Sequence, residues 1–384
     1  MTKEKYVKIA YLGVLLFGIV SLSGDLIYEG ARSIIPQYLY NLGAPALIVG
    51  TVIGLGEFLG YGLRLASGYL ADKLKSYWFF TIVGYLLLIS IPLMAFTNNW
   101  YLVLLLVLIE RFAKAIRSPA RDTLLSQVSK SIGSGKAFGL HELMDQIGAI
   151  GGPAIVSIIL YITGDFSKAF MILTIPYLLL VLSLSTAYHK LKPYTLDFKE
   201  KRTLKGSLKL PIKFYLYAIS VLVNTAGLIH VALIIYKEST VLLPWLLSTL
   251  YLFIQAIDAI FAPIAGLAYD KFGRRVLIIP FLLSIFPSIL VFASDATTLV
   301  IIAIIYGIVL GMQESIYRAA VADIAPLEYR VMAYGIFYVT YGIGFTISGA
   351  VYGFLIDINA MNIAIPYAII SQVIALFLLL KSIT

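Results

Sequence analysis

The chain has 384 residues, of which 60% are apolar and 13% charged, with a net charge of +9 and no cysteine. A soluble domain holds about 45–50% apolar and about 25% charged residues, so this composition excludes a water-soluble core and makes a bilayer the solvent for most of the chain. The absence of cysteine excludes disulfides, thiolate chemistry and cysteine metal sites.

Twelve apolar segments follow one another, over residues 8–39, 46–69, 77–97, 100–118, 138–162, 168–188, 212–236, 241–268, 276–294, 297–318, 331–356 and 362–381. Each holds about 20 residues or more, enough for a helix to cross about 30 Å of hydrocarbon. The expected class is an all-α integral membrane protein with twelve transmembrane helices. The first segment imitates a signal peptide. It runs on into Asp25, Glu29 and Arg32 without a small-residue cleavage site, and so reads as an uncleaved span, tilted or projecting from the membrane.

Orientation follows from lysine and arginine. With the N-terminus inside, 22 of the 29 fall on the inner side and two, Lys168 and Lys237, on the outer side. Both termini are expected in the cytoplasm, and the basic charge needs no nucleic acid to explain it. The only long polar connector, residues 189–211, reads as a cytoplasmic basic linker suited to an anionic leaflet. It joins an N-terminal bundle, 1–188, to a C-terminal bundle, 212–384.

An ionisable residue deep in a span costs about 2.5–3.5 kcal/mol by insertion scales, so it faces a cavity or a partner. Span 1 carries Asp25 and Glu29 on one helical face, with Arg32 three residues on. Two close carboxylates repel, so one is suited to carrying a proton; a structural ion-pair cluster is the alternative. Span 2 carries Glu57 and Arg64, seven apart on one face. Span 4 carries Glu110 and Arg111, with Lys114 and Arg117 assigned to an inner gate. Arg111 lies about 16 Å deep, where a guanidinium can displace a proton from an approaching carboxylate. In span 5, His141 and Asp145 read as a hydrogen-bonded pair. They are one residue short of a zinc-protease signature, so no metal site is expected. The second half offers Asp258, with Gln255 beside it, as a solute contact, and Glu314 with Arg318 as an i,i+4 ion pair. The many cations suit an anionic solute; the matching acids leave its charge open.

The halves repeat each other. Gly68, Asp72 and Lys73 recur 198 residues on as Gly266, Asp270 and Lys271. Arg117 and Asp122 recur as Arg318 and Asp323, and Gly139 and Gly148 as Gly335 and Gly344. Gly266, Asp270, Lys271, Gly273, Arg274 and Arg275 match the pattern G-x-x-x-D-[RK]-x-G-[RK]-[RK] at every signature position. This resembles the signature loop of the major facilitator superfamily. The first copy departs from it: Lys75 replaces the glycine, and Ser76 and Tyr77 replace the cations. Arg111 to Ala115 resembles the helix-4 motif R-x-x-x-G, with alanine for glycine. Gly148, Gly152 and Pro153 resemble the helix-5 motif of the antiporter branch; close packing of helices is the alternative reading.

The resemblance implies two pseudo-symmetric six-helix bundles and alternating access. It implies a secondary transporter, not an enzyme, moving a small organic solute outward in exchange for protons. Asp25, Glu29 or Glu57 would bind the proton and Arg111 would tune its release. Asp72 and Asp270 would latch the cytoplasmic side against the starts of helices 11 and 5. A proton symporter or uniporter taking up a sugar or organic acid is the alternative, and a membrane receptor or enzyme a more distant one. No cofactor is expected, the proton gradient being the energy source. The expected partners are a small-molecule substrate, membrane lipids and protons, with no nucleic acid; the expected setting is a monomer in the plasma membrane.

Overall fold

The computed structural model describes residues 3–129, 131–195, 210–292, 295–326 and 329–383. Lys130 and most of the 189–211 linker therefore lie outside the described residues. Within them there are helices and no strands. In chain order the long helices are α1 (Lys3–Arg32, continued by Ile35–Asn41), α2 (Ala46–Leu74), α3 (Tyr77–Phe96), α4 (Trp100–Val128), α5 (Ser134–Thr163) and α6 (Phe166–Tyr194). They continue as α7 (Ile212–Glu238), α8 (Pro244–Phe272), α9 (278–290), α10 (Ala296–Ile324), α11 (Arg330–Asp357) and α12 (Met361–Ile383).

Among the described residues, ten stretches are long and apolar enough to cross a membrane. One of them, Pro244–Leu290, runs for 47 residues and turns at Gly273 (φ +65°) into α9. α4 has 29 residues but concentrates Glu110, Arg111, Lys114 and Arg117. Dividing the former and adding the latter is consistent with twelve crossings. Asn99, Asp165 and Asp295 start α4, α6 and α10 by accepting the amides of Tyr101, Ser167 and Thr298 at 2.9, 2.8 and 2.9 Å, so the first orphan donors of these helices are satisfied.

Three expected segments differ from the helices found. The first breaks at residues 33–34. Span 4, expected to end at 118, continues to Val128, because Leu124 and Leu125 add an apolar face that packs with Val14, Phe17 and Leu191. Span 7, expected as one helix over 212–236, is interrupted between Gly227 and Val231.

By backbone contacts the chain divides into two units, Met1–Ile34 with Leu63–Leu204, and Ile35–Gly62 with Lys205–Thr384. In the first, α1 packs on α5 and α6, and α3 on α4. In the second, α7 packs on α11 and α12, and α9 on α10. Each of these pairings of the first unit recurs six helices on in the second, which adds a further one, α8 on α10. Apolar residues such as Leu105, Phe112, Leu182, Leu267 and Phe377 are exposed, as surfaces facing hydrocarbon must be.

Candidate functional site

In the first unit α1 and α5 cross at glycines. A Cβ added at Gly148 would lie 2.7 Å from the Asp25 Cβ, and one at Gly152 would lie 2.7 Å from the Gly30 backbone nitrogen. Small residues allow such an approach, and Pro153 continues α5 without ending it. The crossing places Asp25 within electrostatic range of Asp145. Asp145 Oδ2 is in turn 3.4 Å from Nδ1 of His141.

Tyr28 stands at the centre of the charges. Asp25, three residues before it, lies on the same helical face and within electrostatic range. The Arg32 guanidinium carbon, the Lys114 Nζ and the Arg117 guanidinium carbon lie 4.8, 4.7 and 5.4 Å from its ring centroid. Arg117 also lies 5.1 Å from the Tyr85 ring. Lys114 and Arg117, expected at an inner gate, thus gather around an aromatic ring within the bundle. Arg32 pairs with Glu29, one helical turn before it. Its Nη2 is 3.9 Å from Glu110 Oε1, and Glu110 Oε2 is 3.4 Å from Arg111 Nε. Glu110 therefore links Arg32 on α1 to Arg111 on α4. Asp25, Glu29, Glu110, Arg111 and Arg117 are only 6, 5, 4, 4 and 3% exposed. Charges so deep persist only when paired, because each costs several kcal/mol to desolvate. Arg64 belongs to the same unit and is in electrostatic range of Lys114. Glu57 belongs to the second unit, in range of Tyr306.

The second unit is held by uncharged polar groups. Residues 228–230 interrupt α7, which frees backbone groups that water would otherwise satisfy. Tyr367 donates to the Ala226 carbonyl at 3.0 Å, Tyr352 to that of Gly227 at 2.6 Å, and Ser348 to that of Leu228. Ser288 Oγ accepts the Ile229 amide at 2.8 Å, and Tyr306 accepts that of Val231 at 3.0 Å. Four helices thus sheathe the break. Nearby, Asn224 donates to Gln372 at 2.7 Å and accepts from Tyr317 at 2.8 Å. Tyr317 ends a five-residue π-helical segment, Gln313–Tyr317, which widens α10. That segment contains Glu314, whose backbone carbonyl accepts Arg318 Nε at 2.6 Å. Asp258 is buried against α10: a Cβ at Gly311 would lie 3.1 Å from its Oδ1.

The two signature loops end α2 and α8. Asp72 accepts the Tyr77 hydroxyl at 2.7 Å, and Lys73 lies 6.0 Å from the Tyr69 ring. Gly68 packs 3.4 Å from Pro119, judged by an added Cβ, and Gly266 3.3 Å from Ser315. Asp270, Lys271 and Arg275 are exposed, and Arg274 is half-buried. Lys75 and Gly273 both adopt positive φ, 51° and 65°.

The family model of the Major Facilitator Superfamily matches residues 17–246 and 231–382. The chain belongs to the Major Facilitator Superfamily. An uncharacterized protein of Mycobacterium tuberculosis is 36% identical over 363 residues, which cover 91% of this chain and 88% of that one. An uncharacterized transporter of this superfamily from Methanocaldococcus jannaschii is 26% identical over 362 residues, 90% of this chain and 89% of that one. The fold is similar to that of the nucleoside transporter NupG, with TM-score 0.76 at 17% identity over 97% and 99% of the two chains. It is also similar to that of a POT family transporter in complex with a thioalcohol-conjugated peptide, with TM-score 0.77 at 14% identity over 96% of each chain.

In this superfamily member the sequence shows which helices carry the charged residues, but not that Tyr28 lies at their centre. Tyr28 was one of 27 tyrosines. Its spacing of three from Asp25 and four from Arg32 was the available signal. The α7 break carried a weaker one: Gly227 is its only helix-disfavouring residue, and no proline marks it.

Proposed function

We propose that this chain is a proton-coupled secondary transporter of a small organic solute, working by alternating access in the plasma membrane with both termini in the cytoplasm. The observation that carries this reading is the cluster of buried Asp25, Glu29, Glu110, Arg111 and Arg117 with half-buried Arg32 and Lys114 on α1 and α4. Such a cluster is costly in a membrane protein and suits a proton pathway. Asp25 is the proton carrier best supported, since it is buried among Asp145, Glu29 and Lys114. Glu110, between the guanidinium groups of Arg32 and Arg111, positions Arg111. The lysine and arginine asymmetry supports the orientation. The nucleoside and peptide transporters of similar fold support a solute of that size.

The direction proposed is export in exchange for protons, supported by Gly148, Gly152 and Pro153 at the helix-5 motif positions. Uptake by symport is the second reading. It is favoured by the close α1–α5 crossing, which accounts for both glycines by packing alone. Internal pH in proteoliposomes preloaded with solute pools, under an imposed proton gradient, separates the two. Counterflow of proton and solute supports antiport, and co-movement supports symport. Asp25→Asn is expected to abolish proton-driven flux and spare solute exchange. Full proton-driven flux in Asp25→Asn, Glu29→Gln and Glu57→Gln alike overturns the coupling assignment.

A further inference from the structure

The charges around Tyr28 differ in accessibility. Asp25, Glu29 and Glu110 are buried, whereas Lys114 and Arg64 are half-buried and the Arg32 side chain keeps 17% of its surface. Asp145 also keeps part of its surface, but His141 holds it at 3.4 Å. The reachable face of the cluster is therefore mainly cationic, with its acids behind it. That face is turned away from lipid. Phe112 and Leu105, seven residues apart on α4, are exposed and apolar, and Lys114 is about 200° round the helix from Phe112 at about 100° per residue.

Lys114 is the group best placed to receive a ligand. It lies in electrostatic range of three cations, Arg32, Arg64 and Arg111. Of the acids in its range, Glu29 already pairs with Arg32, and Asp25 is buried at 6% exposure. Behind it Arg117 is 97% buried, its Nη1 has no hydrogen-bond partner, and its neighbours are the faces of Tyr28 and Tyr85. Aromatic faces attract a cation weakly and leave its donors unfilled.

We infer that the solute is a small organic anion, whose carboxylate or phosphate is received by Lys114 and Arg32 beside the Tyr28 ring. This deepens the transport reading above and rests on it. An oxyanion accepts from both an ammonium and a guanidinium, and it relieves the mutual repulsion of the cations. A neutral carbonyl or hydroxyl can accept from the same donors but leaves that repulsion in place, and a cationic solute adds to it.

The test is equilibrium binding to the full-length protein in detergent, with no gradient. The probes are matched pairs: dialanine against its C-terminal amide, uridine monophosphate against uridine, and sulfate alone. Thermal stabilisation and Kd are read for each. At least one anionic probe is expected to raise Tm and to bind about tenfold or more tightly than its neutral counterpart. Lys114→Gln is expected to lose about tenfold in affinity, while Lys114→Arg stays within about threefold of the parent. The Tm of each variant without ligand reports folding separately. Equal binding of neutral and anionic members, undiminished binding in Lys114→Gln, or no stabilisation by any anionic probe overturns the inference. Anion binding without proton movement in proteoliposomes keeps it and rejects only the coupling. Proton-coupled flux of a neutral solute does the reverse.

Discussion

Lys75 and Gly273, 198 residues apart, occupy the same turn of the two signature loops, and both take the chain through positive φ, 51° and 65°. A β-carbon disfavours that region, whereas glycine enters it freely. Gly273 goes further, with ψ at −155°, a conformation almost restricted to glycine. The first loop therefore carries strain that the second avoids. Lys75→Gly is expected to stabilise the protein by about 1 kcal/mol. Gly273→Lys is expected to cost about 1–3 kcal/mol. Tm values of the two variants in detergent, moving in opposite directions, check this.

The α1–α5 crossing yields a graded prediction. A Cβ at Gly152 would meet backbone atoms, the Leu26 carbonyl at 2.5 Å and the Gly30 nitrogen at 2.7 Å. At Gly151 it would meet only the end of the Leu26 side chain, at 2.9 Å. Gly152→Ala is expected to destabilise by about 1–3 kcal/mol, since backbone cannot yield as a side chain can. Gly151→Ala should cost much less. Equal losses of Tm would contradict the geometry.

Glu110 between Arg32 and Arg111 sets up a double-mutant cycle. Removing one member of a buried pair leaves an uncompensated charge and costs about 3–5 kcal/mol. Glu110→Gln is therefore expected to destabilise strongly and to lose proton-driven flux. Adding Arg111→Gln should restore part of the stability but none of the flux. Thermal unfolding and proteoliposome flux, measured on the same four proteins, read the two effects apart.

Asp357, at the end of α11, caps the start of α2: its carboxylate oxygens accept the Ala46 and Leu47 amides at 2.8 and 2.9 Å. A carboxylate there also meets the positive end of the helix. Close by, Tyr236 donates to the Ala44 carbonyl at 2.6 Å. Asp357→Ala is expected to cost about 0.5–2 kcal/mol and to loosen this end of the second unit. The chain lacks cysteine, so Ala44→Cys, at a position only 1% exposed, is a clean reporter. Its labelling rate should rise when Asp357→Ala is added; an unchanged rate would show that the cap does not hold this end closed.

The α7 break should be sensitive to its sheath. Ser288 both accepts the Ile229 amide and donates to the Gly227 carbonyl, at 2.8 and 3.1 Å. Ser288→Ala strands a buried donor, at about 1–3 kcal/mol. Tyr352→Phe leaves the Gly227 carbonyl with Ser288 still bonded to it, so the smaller loss of Tm is expected there.

The helices, their repeat and their charged positions were legible because a bilayer imposes strong local rules. A crossing needs about 20 apolar residues, and a charge within it is too costly to be casual. Gly148 and Gly152 could be seen as small, but the helix they meet could not. The α7 break was illegible for a similar reason. Its cause lies in hydroxyls at 288, 306, 348, 352 and 367, dispersed over four other helices.

Composition and motif spacing were sufficient for the membrane setting, the duplicated helical architecture and the superfamily, since each is read from short local runs, the duplication from one such run recurring 198 residues on. Packing was needed to say which charges meet. Tyr28 meets Lys114 and Arg117 only when α1 and α4 come together, and the burial that separates reachable cations from hidden acids is a property of that packing, which no span carries alone.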